Sequence, residues 1–283
     1  MNGVPAWWVA VMCAAAGACT SEARPLRFGT TYTVEQSGAL ALLEPRGIAA
    51  GSPAPPPVTV VVAPSGQILR SAARGDLDVV VTHAPSLEER ILVGPGHARL
   101  RCPFVASRFA IVGPPADPAA VATAPGAVAA FAAIARAGAL FVSRGDSSGT
   151  HVTELALWAA AGVRPQGERW YLESGADQAA ALRLADERGA YALADLPTLA
   201  RLPPLDLRVL LWRDSALVNR YTLYVVASER PHTAADSFAR WALDTWRPRV
   251  LAIRLPDGQP AFEPSPDAPG CRPGSDTVFQ EVH

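Results

Sequence analysis

The sequence predicts an α/β protein built of two lobes. Three observations predict it. Apolar strand-like runs alternate with helical ones along most of the chain, short Ser, Thr or Gly turns join strand to helix, and 283 residues exceed one ordinary domain. The alternation argues for parallel βαβ units and against an all-β body.

Residues 1–24 read as an export signal. PAWWVAVMCAAAGAC is a run of 15 apolar and small residues, too short to span a membrane and of signal-peptide length, although no Lys or Arg precedes Arg24. AGAC, followed by Thr20 and Ser21, resembles a bacterial lipobox, so Cys19 is the expected lipid-anchored first residue of the mature chain. Several acyl chains would hold it at the membrane surface, where one binds only marginally. A soluble exported protein cut nearby is the alternative.

LRFGTTYT is a strand running into a polar turn, with Val34, Leu40 and Leu43 as a helical face that Pro45 stops. Val58–Val62 reads as a buried strand, Ser65 as the N-cap of the helix GQILRSAAR, and Gly75 as its end. LDVVVTHAP supplies the third strand. A second set begins at FVASRFAIVGPP, continuing through the alanine-rich helix AVAAFAAIARAG and the strand ALFVSRG. HVTELALWAAAG puts Val152, Leu155 and Ala159 on one helical face. After the strand end WYLES, Ser174 is placed to cap ADQAAALRLADER, with Asp177 in its first turn and Gly189 past its end. AYALA is a strand and Asp195 caps a short helix after it. LDLRVLLW and RYTLYVVA are strands, and AADSFARWALDTW is a last helix returning to cover the first lobe.

Composition narrows the function. Net charge is −1 and all 25 basic residues are arginine, with no run that would track a nucleic-acid backbone. Any bound anion is therefore attracted by local donors, since the field of the whole chain is close to neutral. No Cys and His spacing suggests a metal centre, and no cofactor motif is present. Beyond the export signal, Cys102 and Cys271 either pair across the Pro- and Gly-rich tail or remain separate thiols.

At residues 30–33, 65–66, 147–150 and 174–175 a strand delivers a Ser, Thr or Gly turn to a helix start. Such turns lie at the carboxyl ends of strands, and their free N–H groups and helix dipoles favour anions. FVSRGDSSGTH carries the densest case. Arg144 offers a cationic fork, Ser147, Ser148 and Thr150 offer hydroxyls, and Gly149 lets backbone approach closely. GDSSG also fits G-x-S-x-G around Ser147, the pattern of a hydrolase nucleophile. That enzyme needs a late histidine, and the later ones, His232 and His283, lie in polar or tail segments. Taken singly, Thr30–Thr33 and Ser65 read as helix caps, Arg144 as a surface pair with Asp146, His83 as a hydrogen-bonded strand-end residue, and Trp170 and Tyr171 as packing.

TTYT followed by SGAL, DVVVTHAP, FAIVGPPADPA, ALFVSRGDSSGTH and WYLESG together resemble the extracytoplasmic tungstate-binding components of ABC importers, across most of residues 26–250. The resemblance implies a type II periplasmic-binding-protein fold, α/β in class, whose two lobes close over a ligand cleft about a two-strand hinge. It implies capture of a tetrahedral oxyanion, tungstate or molybdate, without catalysis or cofactor, by a monomer that serves a membrane permease and ATPase. Carried over by motif, Thr30, Thr31, Thr33, Ser65, Arg144, Ser147, Ser148, Gly149 and Thr150 form the ligand shell. Tyr32 and Thr33 stand where that family has threonine and serine, and ADQAA lacks its glycine and methionine. Lobe one is expected at 26–104 plus 219–283 and lobe two at 105–218, with a phosphate or sulfate carrier, a serine hydrolase using Ser147, and a sensing module as alternatives.

Overall fold

The structure is a computed structural model and describes residues 24–44, 57–229, 231–267 and 269–274. Cys19, the export signal and His283 lie outside the described residues.

Strand β1 (Leu26–Thr30) leads to the short helix α1 (Tyr32–Gln36) and one 3₁₀ turn, Leu40–Leu43. Then come β2 (Val58–Val62), α2 (Ser65–Ala73), β3 (Val79–Thr82) and α3 (Pro85–Glu88). The 16-residue β4 (Ala98–Gly113) carries the chain into α4 (Ala127–Ala137), β5 (Phe141–Ser143), α5 (Gly149–Ala160), β6 (Tyr171–Glu173) and α6 (Gln178–Arg188). β7 (Tyr191–Asp195), α7 (Leu196–Leu199) and β8 (Arg208–Leu211) precede β9 (Val218–Val226), which carries it back to α8 (Ala235–Trp241), α9 (Arg247–Leu251), β10 (Glu263–Pro264) and β11 (Arg272–Pro273).

The main path of the sheet runs β2-β1-β3-β9-β4-β7-β5-β6. β1 pairs in parallel with β2 and β3, and β5 with β6 and β7, whereas β9 and β4 are antiparallel to each other and to the strands beside them. β4 serves both sides in turn. From Ala98 to Arg108 it pairs with β9, and from Phe109 to Val112 with β7. Apolar cores follow the same division. Phe28, Phe104, Phe238 and Trp246 centre one side, while Phe131, Phe141 and Trp158 centre the other. Burying such rings contributes roughly 1.5–3 kcal/mol each, which fixes both sides of the sheet.

The structure corrects two readings. Val58–Val62 is an edge strand with Val60 and Val61 exposed, because β1 occupies one side of it and no described strand covers the other. The buried stripe of α5 includes His151, Glu154, Leu157 and Trp158, while Leu155 is half-buried and Ala159 exposed. Val152 instead packs against Leu69, Ala84 and their neighbours on the other side of the molecule.

Cys102 and Cys271 form a disulfide that fastens the tail to β4, where β11 also pairs. Among the described residues no helix is long and apolar enough to cross a membrane, and no cluster of His, Cys, Asp or Glu is arranged to hold a metal ion. Crosslinking residues 169 positions apart removes about 5 kcal/mol of unfolded-chain entropy in the simplest estimate, and real bridges contribute about 2–4. Cys271→Ser is therefore expected to lower the thermal midpoint, and reductant to lower that of the wild type to match; identical melts for both chains would show that the bond carries no stability.

Candidate functional site

The polypeptide enters the first turn at the end of β1, where all three threonines singled out in the sequence are buried. Thr30 donates its hydroxyl to Val81 O at 3.3 Å. Thr31 and Thr33 share a hydroxyl hydrogen bond of 2.9 Å, and Thr33 Oγ1 lies 2.9 Å from His83 Nε2. Tyr32 is half-buried, and its phenol is among the groups that favour the charge of Arg144. Ser65 opens α2 as its first helical residue and caps nothing, since Pro64 holds the cap position. Its hydroxyl is buried and makes no hydrogen bond. A polar group in that condition costs about 1–3 kcal/mol, so it marks a place built to meet a further polar atom.

Across the seam, β5 ends in the turn Arg144–Ser148. Arg144 is 2% exposed and pairs with Asp146, so the ion pair read as a surface feature is buried. Its Nε also donates to Ala176 O at 3.3 Å. Burial works against its charge, and Asp146 offsets that. Gly145 and Ser147 both take left-handed backbone, with φ of 64° and 60°, which turns the Ser147 N–H onto His151 Nδ1 at 3.1 Å. Ser148 caps α5, its hydroxyl accepting from His151 N at 3.2 Å. Thr150 donates its hydroxyl to Gln178 Oε1 at 3.0 Å. The backbone N–H groups of Gly149 and Thr150 begin the helix and so lack partners within it.

Because His151 Nδ1 accepts from Ser147, its neutral ring carries the proton on Nε2, and that atom too is buried without a partner. Burial lowers the pKa of His151 and pushes His83 down to about 4, so both rings are neutral near pH 7. The lone pair of His151 Nδ1 is thus occupied by a backbone amide and not by a serine hydroxyl.

The two sides touch through backbone at one point and through a glutamine side chain at another. Gly66 N–H donates to Ser147 O at 3.2 Å, and Ala179 N–H donates to Gln36 Oε1 at 3.2 Å. Gly149 lies so close to His83 that a Cβ there would stand 2.4 Å from the His83 carbonyl oxygen. Only glycine permits that approach. The turn at 174–175 is corrected: Ser174 gives its hydroxyl to Ser143 O, and Asp177 caps α6. Of the remaining predicted residues, Ser147 meets Gly66, the neighbour of Ser65, and Gly149 rests on His83, which bonds Thr33. Asp195 caps α7 as the sequence predicts, accepting from Thr198 N, whereas sequence reading missed Asn219, Gln178 and Gln36, and the bonds of Asp195 to Ser107 and Asn219, because these join residues distant along the chain.

A profile described as the PBP superfamily domain matches residues 16–245. The chain belongs to that superfamily. A protein of Haloferax volcanii is 42% identical over 146 residues, spanning 51% of this chain and 42% of its own. The tungstate-binding protein TupA of Peptoclostridium acidaminophilum is 33% identical over 191 residues, spanning 65% and 66%. The chain thus spans less than two thirds of the length of these curated relatives. The solved structure of the tungstate ABC transporter from Geobacter sulfurreducens is 34% identical, with a TM-score of 0.65, covering 78% of this chain and 95% of that one. The architecture of this PBP-superfamily chain is the type II periplasmic-binding-protein fold.

Two outcomes follow from the geometry. Gly149→Ala should hold the sides apart, seen as a larger scattering radius than the wild type under conditions in which the wild type closes; equal radii would show that the Gly149 contact does not limit closure. Glu154, one turn further along α5, accepts from Trp158 Nε1 at 3.1 Å and Tyr171 OH at 2.7 Å, and burial raises its pKa to about 7. A raised folded-state pKa stabilises below the unfolded value of 4.5 and loses that contribution as pH rises through 7. Glu154→Gln keeps the acceptor and removes the charge, so its thermal midpoint should exceed that of the wild type at pH 8 and match it near pH 4.5.

Proposed function

We propose that this chain is the solute-binding component of an ABC importer and captures a tetrahedral oxyanion, tungstate or molybdate, releasing it chemically unchanged. The observation that carries this reading is the meeting of two amide-rich helix starts at one seam. Gly66 N–H rests on Ser147 O, Arg144 is buried beside the second turn, and the Ser65 hydroxyl and His151 Nε2 are buried without partners. Charge-assisted hydrogen bonds contribute about 1.5–3 kcal/mol each and a helix end about 0.3–1. Half a dozen such donors suffice for micromolar affinity, about −8 kcal/mol. The similarity to TupA and to the tungstate transporter structure supports the choice of anion.

In this reading Thr30, Thr31, Thr33 and Ser65 belong to lobe one, residues 26–104 plus 219–283. Arg144, Ser147, Ser148, Gly149 and Thr150 belong to lobe two, residues 105–218. β4 and β9 are the hinge crossings, and donors from both lobes on one guest favour the closed state. The monomer works outside the cytoplasm, held to the membrane through a lipidated Cys19, and passes the anion to a permease and ATPase. In this reading it is a carrier and not an enzyme, in keeping with a His151 whose Nδ1 accepts from the backbone amide of Ser147.

Calorimetry with tungstate, molybdate, sulfate and phosphate tests the reading. Tungstate or molybdate should bind at micromolar Kd or better, and a preference for phosphate or sulfate would reassign the chain to those anions. Arg144→Ala is expected to weaken the best ligand at least tenfold without unfolding the protein. Ser65→Ala should act with opposite signs, stabilising the unliganded chain by about 1 kcal/mol while weakening the anion; unchanged affinity would remove Ser65 from the shell.

A further inference from the structure

With Asp195 ionised, a state that burial opposes and its hydrogen-bond donors favour, the buried hydrogen bonds behind the first turn set one arrangement of protons. Asp195 is buried, and its carboxylate collects donors from Ser107 Oγ at 2.7 Å, Thr198 Oγ1 at 2.9 Å, Thr198 N at 3.2 Å and Asn219 Nδ2 at 3.1 Å. A carboxylate accepts, so the amide of Asn219 must turn its NH₂ toward Asp195 and its Oδ1 toward His83 Nδ1, 2.9 Å away. His83 Nδ1 therefore carries the hydrogen, and the neutral ring offers only a lone pair at Nε2. Thr33 must give its single hydroxyl hydrogen to that lone pair. The bond between Thr31 and Thr33 is then left to the hydrogen of Thr31. Both hydroxyls assigned to the anion shell thus have their hydrogens turned inward, and present oxygen lone pairs that repel an anion.

One proton reverses the chain, and we propose that capture of the oxyanion takes up a proton on His83 Nε2. The proton comes from solvent. His83 Nε2–H donates to Thr33 Oγ1, the hydrogen of Thr33 turns to Thr31 Oγ1, and the hydrogen of Thr31 turns outward to an oxygen of the guest. Nδ1–H stays on Asn219, so no buried bond is lost. The imidazolium places one positive charge in the wall beside a doubly negative guest. His83 is a positioning residue here, acting through Thr33 and Thr31.

The surroundings of the ring fit this role. The Tyr221 ring stacks on it at 4.9 Å and Phe109 lies 6.3 Å away, with the start of α5 at Gly149 covering its edge. Of the charged groups, Asp146 favours the added proton and Arg144 opposes it, while Asp195 acts through Asn219. With no guest, burial holds the ring near pKa 4, so at neutral pH the proton must arrive with the anion. Binding that takes up a proton strengthens as pH falls toward that value, by up to about tenfold per pH unit.

This inference rests on the anion-binding reading, and the experiment separates the two. The full chain is titrated with sodium tungstate from pH 6.5 to 8.5, where tungstate stays a dianion, in buffers of differing ionisation enthalpy. Net proton uptake is expected, with Kd rising as pH rises. In His83→Gln, whose amide takes up no proton near neutral pH, both the uptake and the pH dependence should vanish. Tight binding without proton exchange in the wild type overturns the relay and leaves the anion site standing. Uptake that persists in His83→Gln also overturns it, because the proton then sits elsewhere, and absence of any binding overturns both readings. Should the variant not fold, the imidazole ¹⁵N shifts of the wild type decide: His83 Nε2 must change from bare to protonated on adding tungstate, and an Nε2 that stays bare ends the proposal.

Discussion

Two antiparallel strands, β4 and β9, hold everything else in place. Their ladder runs from Ala98 with Val226 to Arg108 with Val218, with β1, β2 and β3 in parallel pairs on one side of it and β5, β6 and β7 on the other. A sheet assembled this way has a seam where β4 stops pairing with β9 and starts pairing with β7. Asp195 sits at that seam, the last residue of β7, and its donors come from β4, β9 and α7. A buried carboxylate is tolerated only when so many donors face it. Removing a donor such as Asn219 would leave charge with too few partners at the point where both sides of the molecule meet.

Backbone meets backbone at the seam where the two sides touch. Gly66 and Ser147 touch through main-chain atoms, and Gly149 rests on the His83 carbonyl. Backbone amides keep a constant partial charge and fixed direction, so they recognise negative oxygen without bringing a compensating cation. That fits a chain of net charge −1 whose cation at the seam, Arg144, is already half-answered by Asp146.

Much of the fold was legible because strand and helix periods differ and glycine stops are local. Gly138 and Gly189 end their helices in left-handed backbone where the sequence places them. The misreadings share a cause. Val58–Val62 is as apolar as a central strand, yet its exposure depends on which strands lie beside it. Ser65 and Ser174 look alike as caps, but the position of Pro64 decides one and the carbonyl of Ser143 the other. The helical face of α5 was misjudged because His151 and Glu154 read as polar, whereas hydrogen bonds from Ser147, Trp158 and Tyr171 make their burial tolerable. The clustering of Thr, Ser and Arg at strand ends and the cap at Asp195 could be read in advance, while the bonds that tie Asn219 to His83 and Asp195 to Ser107 and Asn219 could not, since they join residues far apart in the chain.

The bond between Cys102 and Cys271 closes a covalent ring that contains the whole of β5 to β9, so one side of the molecule is a loop sewn shut at its base. A single cut anywhere in that loop leaves the pieces joined. The stitch also sets an order of events, because 169 positions separate its two cysteines. Everything between them must be made, and must reach oxidising surroundings, before the ring can be completed.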